Sequence, residues 1–443
     1  MTLLFYCLFI TILFFGFGKI KFYEPKGIFV LGSVFYIVFG MSGTLDVIRG
    51  DINIPNELKI AIAIAFTPLI FLINKRKYTN IKGLRISNFS IKTIRNLSLI
   101  IGFIGFLFMI QKIGGLSVFE NNPNRVLRNQ LITESGGNFP YILFFFIGFA
   151  SSLMLEFYRN STVRRIFFKS FIFISPLLLY NLLEGERSNI IKFLFIAYFF
   201  YIIKFEKKQF KLGVFKSILL VIGFSIFSIM GNVRSHLNLA VASGDASVLV
   251  NVIQNKDITQ LLIPNEPKAV AFTWRYTYKL LNNGFLDYQY GYTYFQGIPY
   301  FFPTSVYKIF NLKKNKTISD QIGDIYAKEY GYKKKVGFGY LGISELYLNF
   351  GLISCIFFFP IFFSMISFIE YQARISKSIS EIVAIAFLPY IAFFAHRVSF
   401  ASVLATYIWF FFIAISLYII TIIIKQILIS TNKSIKNSKN IIL

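Results

Sequence analysis

The sequence predicts an all-α polytopic membrane protein with about 11 transmembrane helices and one large loop on the outer side. Of its 443 residues, 56% are hydrophobic and only 15% are charged, and the mean hydropathy is +0.63. An ordinary globular protein carries about 25% charged residues. The chain also has 56 Phe and 26 Tyr, more apolar surface than soluble domains of this length could bury. This composition excludes a soluble enzyme, a disulfide-rich secreted protein and a disordered chain.

Apolar stretches recur along the whole chain, and each is long enough to cross roughly 30 Å of hydrocarbon as a helix. They cover residues 2–18, 27–45, 60–74, 97–114, 140–157, 170–183, 188–204, 214–232, 339–365, 381–396 and 400–424. No small-residue cleavage site follows the first stretch, which therefore predicts a retained span rather than a signal peptide.

The loops between these stretches alternate in charge. More than half of the 46 Lys and Arg lie in every second loop and in the C-terminal tail. These basic segments are residues 19–26, 75–95, 159–169, 204–216, 374–377 and 425–439. By the positive-inside rule they are cytoplasmic, which places the N-terminus outside and the C-terminus inside. The net charge of +26 is then mainly a topology signal, and no nucleic-acid partner is needed to explain it.

The charge pattern and the spans divide the chain into four parts. Residues 1–232 hold the first eight spans, 233–338 form the large outer loop, 339–424 hold the last three spans, and 425–443 form a basic cytoplasmic tail. The loop contains two short amphipathic helices, one starting at Asn265 and one over residues 318–329. The aromatic run from Tyr288 to Phe302 lies between them and fits either stacking on sugar rings or local packing.

Charged residues at the outer ends of the spans are the candidates for chemistry. Glu345 lies among apolar residues with no Lys or Arg within one helical turn, so it needs a distant partner or a function. The other candidates are Arg187, Arg234, His236, Arg275, His396 and Arg397. Four of these have a structural alternative: a salt bridge of Arg187 with Glu184 or Glu186, helix anchoring by His396 and Arg397, and a solvated face for Arg275. For Lys192 we expect a side chain that extends to the membrane–water interface on the outer side.

Several kinds of site are absent from the sequence. It has no Gly-rich phosphate loop and no Asp-x-Asp pair, and its two Cys and two His rule out a thiolate or multi-histidine metal centre. The sequence therefore predicts no metal and no cofactor.

Three stretches together resemble the O-antigen polymerases, the Wzy family of oligosaccharide repeat-unit polymerases. They are YLGISELYLNFG at residues 340–351, GERSN at 185–189 and GYTYFQGIPYFFP at 291–303. The resemblance also covers the layout of many spans, one large periplasmic loop and a cytoplasmic C-terminus. A GT-C-like fold is compatible with this layout. The stretch at 291–303 departs from relatives in having no basic residue before Lys308.

The resemblance implies a multi-pass protein of the bacterial inner membrane whose active site faces the periplasm. It implies glycosyl transfer between undecaprenyl-diphosphate-linked oligosaccharides, with the bilayer and a polysaccharide chain-length regulator as further partners. For that reaction we expect Glu345 to be the general base, with His236 or His396 as substitutes. We expect the diphosphate to bind Arg187, Arg234, Arg275 and Arg397. The expected sugar-binding residues are Tyr292, Tyr294 and Tyr347.

Other functions fit the same sequence. An O-antigen ligase uses the same donor lipid in a similar layout, and the sequence separates it poorly from a polymerase. A flippase or other transporter would favour polar residues near the bilayer midplane and short loops. A structural scaffold would give no reason for Glu345.

Overall fold

The computed structural model is mostly helical. It describes residues 2–17, 20–40, 55–72, 85–112, 140–184, 187–205, 265–296, 316–331 and 339–439, and positions 299, 302, 307 and 310. Apart from an isolated antiparallel bridge between Arg85 and Ser378, these residues form no strand pairing. The predicted all-α class is therefore confirmed for the described part of the chain.

Most of the helices overlap the predicted apolar stretches, although several extend well beyond the predicted bounds. Those of the first half are α1 (Thr2–Phe17), α2 (Pro25–Ser33, continued by Val34–Phe39), α3 (Asn56–Phe66, continued by Thr67–Ile70), α4 (Asn88–Lys112), α5 (Tyr141–Tyr158), α6 (Val163–Glu184) and α7 (Arg187–Lys204). Those of the second half are α8 (Asn265–Asn282), α9 (Tyr292–Phe295), α10 (Ile318–Glu329), α11 (Gly342–Phe350), α12 (Phe358–Arg374), α13 (Ile379–Ala392) and α14 (Phe400–Lys439). Short 3₁₀ turns at Leu352–Phe357 and Phe394–His396 precede α12 and follow α13.

Four of the described helical segments are long and apolar enough to cross a membrane. They are Asn88–Lys112, Tyr141–Tyr158, Leu352–Arg374 and Phe400–Thr431. Shorter apolar helices cover Tyr6–Gly16, Pro25–Val38 and Ile379–Ala392. The chain is thus a helical membrane protein. The predicted eighth span at 214–232 lies outside the described residues, and the total of about 11 spans stays a prediction.

Small residues allow the helices to pack closely. A Cβ on Gly102 of α4 would lie 3.2 Å from the ring of Phe145 on α5, and one on Gly148 would lie 2.9 Å from Leu99. Such close approach stabilises helix pairs in a membrane, where apolar burial alone supplies little drive. The opposite face of α4 is apolar and exposed, with Ile104 61% exposed, as expected of a lipid-facing surface.

Basic loops that the sequence assigns to one side meet at one end of the bundle. The hydroxyl of Tyr158 donates to Glu381 at 2.9 Å, and Lys204 forms an ion pair with the same carboxylate. The N–H of Ile86 donates to the carbonyl of Lys377 at 2.6 Å. The ends of α5, α7 and α12 and the start of α4 therefore lie together, as the charge alternation predicts.

The predicted continuous helix over 339–365 is wrong. Gly351 has φ 76° and ends α11, and the membrane-crossing segment starts at Leu352. A left-handed conformation is accessible to glycine because it has no Cβ. Hydropathy does not detect this break, since apolar residues continue on both sides of it. Glu345 consequently lies in a short helix ahead of the span.

Two helices of the predicted outer loop form where the sequence places them. α8 begins at Asn265 and ends at Asn282, and α10 covers Ile318–Glu329 with the Thr317 hydroxyl accepting from the Asp320 N–H. Their apolar faces pack together in a small cluster. Its buried members are Tyr276, Leu280, Ile318, Ile322, Tyr326, Tyr340 and Leu348. This cluster ties α10 to α8 and to the start of α11.

Candidate functional site

Glu345 is fully buried at the end of the bundle opposite the basic loops. Its Oε2 accepts a 2.6 Å hydrogen bond from the N–H of Phe400, the first residue of α14. A helix N-terminus carries unpaired N–H groups and a partial positive charge, so it stabilises a carboxylate. Oε1 is also buried, and no described residue forms a hydrogen bond with it. One oxygen thus binds the N-terminus of α14, and the other lies in the buried interior.

The surroundings of Glu345 change its acidity. Burial raises the pKa of the carboxyl to about 7, while the Phe400 N–H and the nearby Thr293 hydroxyl partly oppose the rise. Burial has this direction because it penalises the charged form. A pKa near neutrality is the value that a general base needs.

The side chain of Asn349 joins Glu345 to the aromatic segment. Its Oδ1 accepts from the N–H of Gly291 at 2.8 Å, and its Nδ2 donates to Thr293 Oγ1 and to the carbonyl of Glu345, both at 2.7 Å. Gly291 has φ 90°, which its place in the turn requires. Two of the three stretches that carry the family resemblance are therefore in direct contact.

Two tyrosines extend the polar group around Glu345. Burial raises the pKa of the Tyr294 and Tyr340 hydroxyls, and the negative charge of Glu345 raises both further, which places them near the carboxylate. The Tyr294 hydroxyl is buried without a hydrogen-bond partner among the described residues. Buried polar atoms are usually paired, so this hydroxyl is an exception beside Glu345.

Two cations, Lys192 of α7 and Arg397 of the turn between α13 and α14, lie against the ring of Phe394. Lys192 Nζ is 5.0 Å from the ring centre of Phe394, and Arg397 Cζ is 5.8 Å from the same ring. Lys192 also lies 4.8 Å from the ring of Tyr390. Aromatic faces hold cations in this way. Arg397 is three residues before Phe400, whose N–H binds Glu345, so Arg397 lies on the turn that also contacts the carboxylate.

His396 lies in the core. It is 1% exposed, its Nε2 donates to the carbonyl of Phe29 at 3.0 Å, and its ring lies 4.4 Å from the ring of Phe29. A histidine packed and bonded in this way is not placed to accept a proton from a substrate. Its predicted role as a substitute base remains a prediction, and the geometry favours Glu345.

The other predicted cations have different positions. Arg275 is half-buried on α8, the helix that packs against α11. Arg187 begins α7, and its side chain lies outside the described residues. Arg234 and His236 also lie outside them. The structure therefore places Arg397 on the turn whose Phe400 N–H binds Glu345, and the roles of all four predicted diphosphate ligands stay predictions.

The three tyrosines expected to bind sugar differ in exposure. Tyr292 is 49% exposed. Tyr294 is half-buried beside Glu345. Tyr347 is 1% exposed, and its hydroxyl donates to Glu57 Oε1 at 2.6 Å. Its ring is thus part of the packing rather than a surface on which a sugar stacks.

Sequence reasoning missed Glu57 and assigned Lys192 to the interface. Glu57 lies in the first turn of α3 and accepts hydrogen bonds from Tyr347 and Tyr278. Its partners are 290 and 221 residues away along the chain, so no local pattern connects them. The only signal in the sequence was an acidic residue two positions after Pro55, just before a predicted span.

In comparisons with known proteins, no family model, no curated protein and no solved structure matches this chain. The fold and the site define a helical membrane protein in which a buried carboxylate is bonded to the start of α14, and two cations lie on the ring of Phe394 in the preceding turn. Within the described part of the chain, no group of three His, Cys, Asp or Glu side chains is arranged to hold a metal ion.

Proposed function

We propose that this protein is a glycosyltransferase of the bacterial inner membrane that polymerises undecaprenyl-diphosphate-linked oligosaccharide repeat units into O-antigen polysaccharide. The observation that supports this function best is the turn between α13 and α14. It holds Arg397 over Phe394 beside Lys192, and three residues later it supplies the N–H that binds Glu345. A diphosphate leaving group and a proton-accepting carboxylate need this pairing of charges.

Glu345 acts as the general base. Oε1 takes the proton from a hydroxyl of the incoming repeat unit, and the oxygen of that hydroxyl attacks the anomeric carbon of the growing chain. The new glycosidic bond forms as the bond between that carbon and the diphosphate oxygen breaks. The products are the lengthened chain on its new lipid and free undecaprenyl diphosphate.

Lys192 and Arg397 stabilise the charge that develops on the leaving diphosphate. A guanidinium matches two phosphate oxygens at once, and a lysine adds a compact charge. Preorganised donors of this kind lower the barrier because they need no rearrangement during the reaction. No metal has a part in this scheme. The lipid tails lie among the spans, and the sugars lie in the periplasm against the segment around Tyr292.

The test is polymerisation by the purified protein. The lipid-linked repeat unit is isolated from cells that lack this protein. The protein in nanodiscs is incubated with that substrate, and the products are separated by chain length. We expect a ladder of products from the native protein and only single units from Glu345→Gln. The control is Glu329→Gln, which alters a tyrosine-bonded carboxylate in a different cluster. Absence of a ladder with native protein, or transfer only to lipid A core as a ligase performs it, contradicts the proposal.

A further inference from the structure

Glu57 lies in a polar and aromatic group distinct from the Glu345 site. Its carboxylate accepts from the hydroxyls of Tyr347 at 2.6 Å and Tyr278 at 3.1 Å. The two tyrosine rings are 6.1 Å apart, and the Trp274 ring lies 6.4 Å from that of Tyr347. Three helices, α3, α8 and α11, thus contribute to one group.

The carboxylate is only partly used by these contacts. An ionised carboxylate offers roughly four acceptor positions. The two tyrosine hydroxyls fill two of them and fix the orientation of the group. Glu57 is half-buried, so part of its side chain is open to solvent.

An exposed aromatic ring flanks the same group. Tyr288 is 39% exposed, and a Cβ on Gly351 would lie 3.8 Å from its ring, so the ring lies against the end of α11. The N–H of Gln289, the next residue, donates to the carbonyl of Leu348 at 3.1 Å, so Tyr288 lies beside the residue that follows Tyr347 on α11. An oriented carboxylate beside an exposed aromatic face has the chemistry that a neutral sugar needs, since hydroxyls donate to the one and C–H groups pack on the other.

We propose that Glu57, held by Tyr278 and Tyr347 and flanked by Tyr288, binds hydroxyl groups of a neutral saccharide. This inference deepens the proposed function, on which it rests for the identification of the saccharide as the acceptor repeat unit. The charge of the carboxylate repels acidic sugars, so specificity is for a neutral ring with adjacent hydroxyls.

The site holds a sugar that does not itself react. Tyr347 and Glu345 are two positions apart on α11 and point to nearly opposite sides of a helix about 10 Å wide. An oligosaccharide of several rings extends over that distance. Glu57 then holds one ring while another presents its hydroxyl to Glu345, so binding at a remote ring positions the reacting one.

The test is a binding titration of the full chain in nanodiscs with two separate probes. One is the free oligosaccharide released by mild acid from the lipid-linked repeat units, and the other is undecaprenyl diphosphate without sugar. Trp274 and Trp409 are the two tryptophans of the chain, so Trp409→Phe makes Trp274 fluorescence a specific reporter of the Glu57 group.

We expect the free oligosaccharide to bind, and Glu57→Gln to weaken it at least about tenfold because charge-assisted hydrogen bonds are lost. Glu329→Gln, whose carboxylate also accepts from a tyrosine, is the matched control and leaves saccharide binding unchanged. Undecaprenyl diphosphate binds Glu57→Gln as tightly as it binds the native protein, which shows that the variant is folded.

Three results would overturn the inference: no saccharide binding by the native protein, equal binding by Glu57→Gln, or loss of both probes in Glu57→Gln. A different result separates the two proposals. If the saccharide binds as expected and undecaprenyl diphosphate does not bind the native protein, the sugar site stands and the proposed function fails.

Discussion

The backbone N–H of Phe400 donates a hydrogen bond of 2.6 Å to Oε2 of Glu345. This bond joins the short helix α11 to the first turn of α14, and it brings the carboxylate to the turn that holds Arg397. The two oxygens of the carboxylate therefore differ. Oε2 is bonded to the N-terminus of α14, and Oε1 has no hydrogen bond from any described residue.

The rate of glycosyl transfer should depend on the ionisation of Glu345. Burial raises the pKa of this carboxyl to about 7, and only the ionised form accepts a proton. The initial rate of polymer formation should therefore fall as the pH drops below about 7, where an ordinary glutamate with a pKa of about 4.3 would remain active. Glu345→Gln should lower the rate by a factor of about 10² to 10⁴ and remove the fall in rate near about pH 7 from the pH profile. A flat profile for the native protein between about pH 5 and about pH 9 would exclude Glu345 as the base.

Asn349→Ala should loosen the aromatic segment from α11. The change leaves the N–H of Gly291 without its acceptor, and a buried unpaired donor costs about 1–3 kcal/mol. Residues 287–296 should lose protection from hydrogen exchange, and the thermal midpoint should fall. The control is Thr421→Val, which removes a buried hydroxyl bonded only within its own helix. Unchanged exchange at residues 287–296 in Asn349→Ala would show that the amide does not hold the segment.

Glu381→Ala should strongly destabilise the other end of the bundle. The Glu381 side chain is 0% exposed, and its partner Lys204 is 8% exposed. Removal of the carboxylate leaves a buried ammonium without its counter-ion, at a cost of about 3–5 kcal/mol. The double variant Lys204→Met/Glu381→Leu should recover most of the loss, since apolar side chains replace the pair. Thermal unfolding in one detergent measures both, and a Glu381→Ala variant as stable as the native protein would rule out this role for the pair.

The docking of α10 on α8 should weaken in acid. The hydroxyl of Tyr276 and the ammonium of Lys279 lower the pKa of Glu329, which both of them contact. Because the folded pKa lies below the unfolded one, the stabilisation is present above about pH 4.3 and is lost as the pH falls through the depressed folded pKa. Hydrogen exchange of residues 318–329, corrected for the intrinsic effect of pH, should rise in that window. Glu329→Gln should abolish the dependence, and an unchanged dependence in that variant would assign it to another group.

Local signals were sufficient to predict much of the fold. Asn265 and Pro267 at the start of α8, and the spacing of Ile318 and Ile322 in α10, predict helices whose bounds the structure reproduces. Propensity and capping act over a few residues, so a sequence displays them directly. The break at Gly351 was missed because hydropathy averages over a longer window than one residue.

The contacts of the site could not be predicted in this way. Asn349 bonds to a residue 58 positions earlier, and Glu57 bonds to Tyr347 290 positions later. Lys192 and Arg397 share the ring of Phe394 only because α7 packs beside α13. Such pairs depend on tertiary packing, which leaves no periodic pattern in the chain. The sequence did identify Glu345, because a carboxylate among apolar residues requires a partner.

Equilibrium binding of undecaprenyl diphosphate tests the central claim most directly. We predict that the native protein in nanodiscs binds it, and that Lys192→Ala and Arg397→Ala each weaken binding about tenfold or more, since hydrogen bonds to charged groups contribute about 1.5–3 kcal/mol. Arg397→Lys should retain part of the affinity, because a lysine keeps the charge without the two-pronged geometry. Lys279→Ala, which removes an exposed lysine paired with Glu329, should have no effect. Equal affinity for the native protein, Lys192→Ala and Arg397→Ala would contradict a diphosphate site beside Glu345.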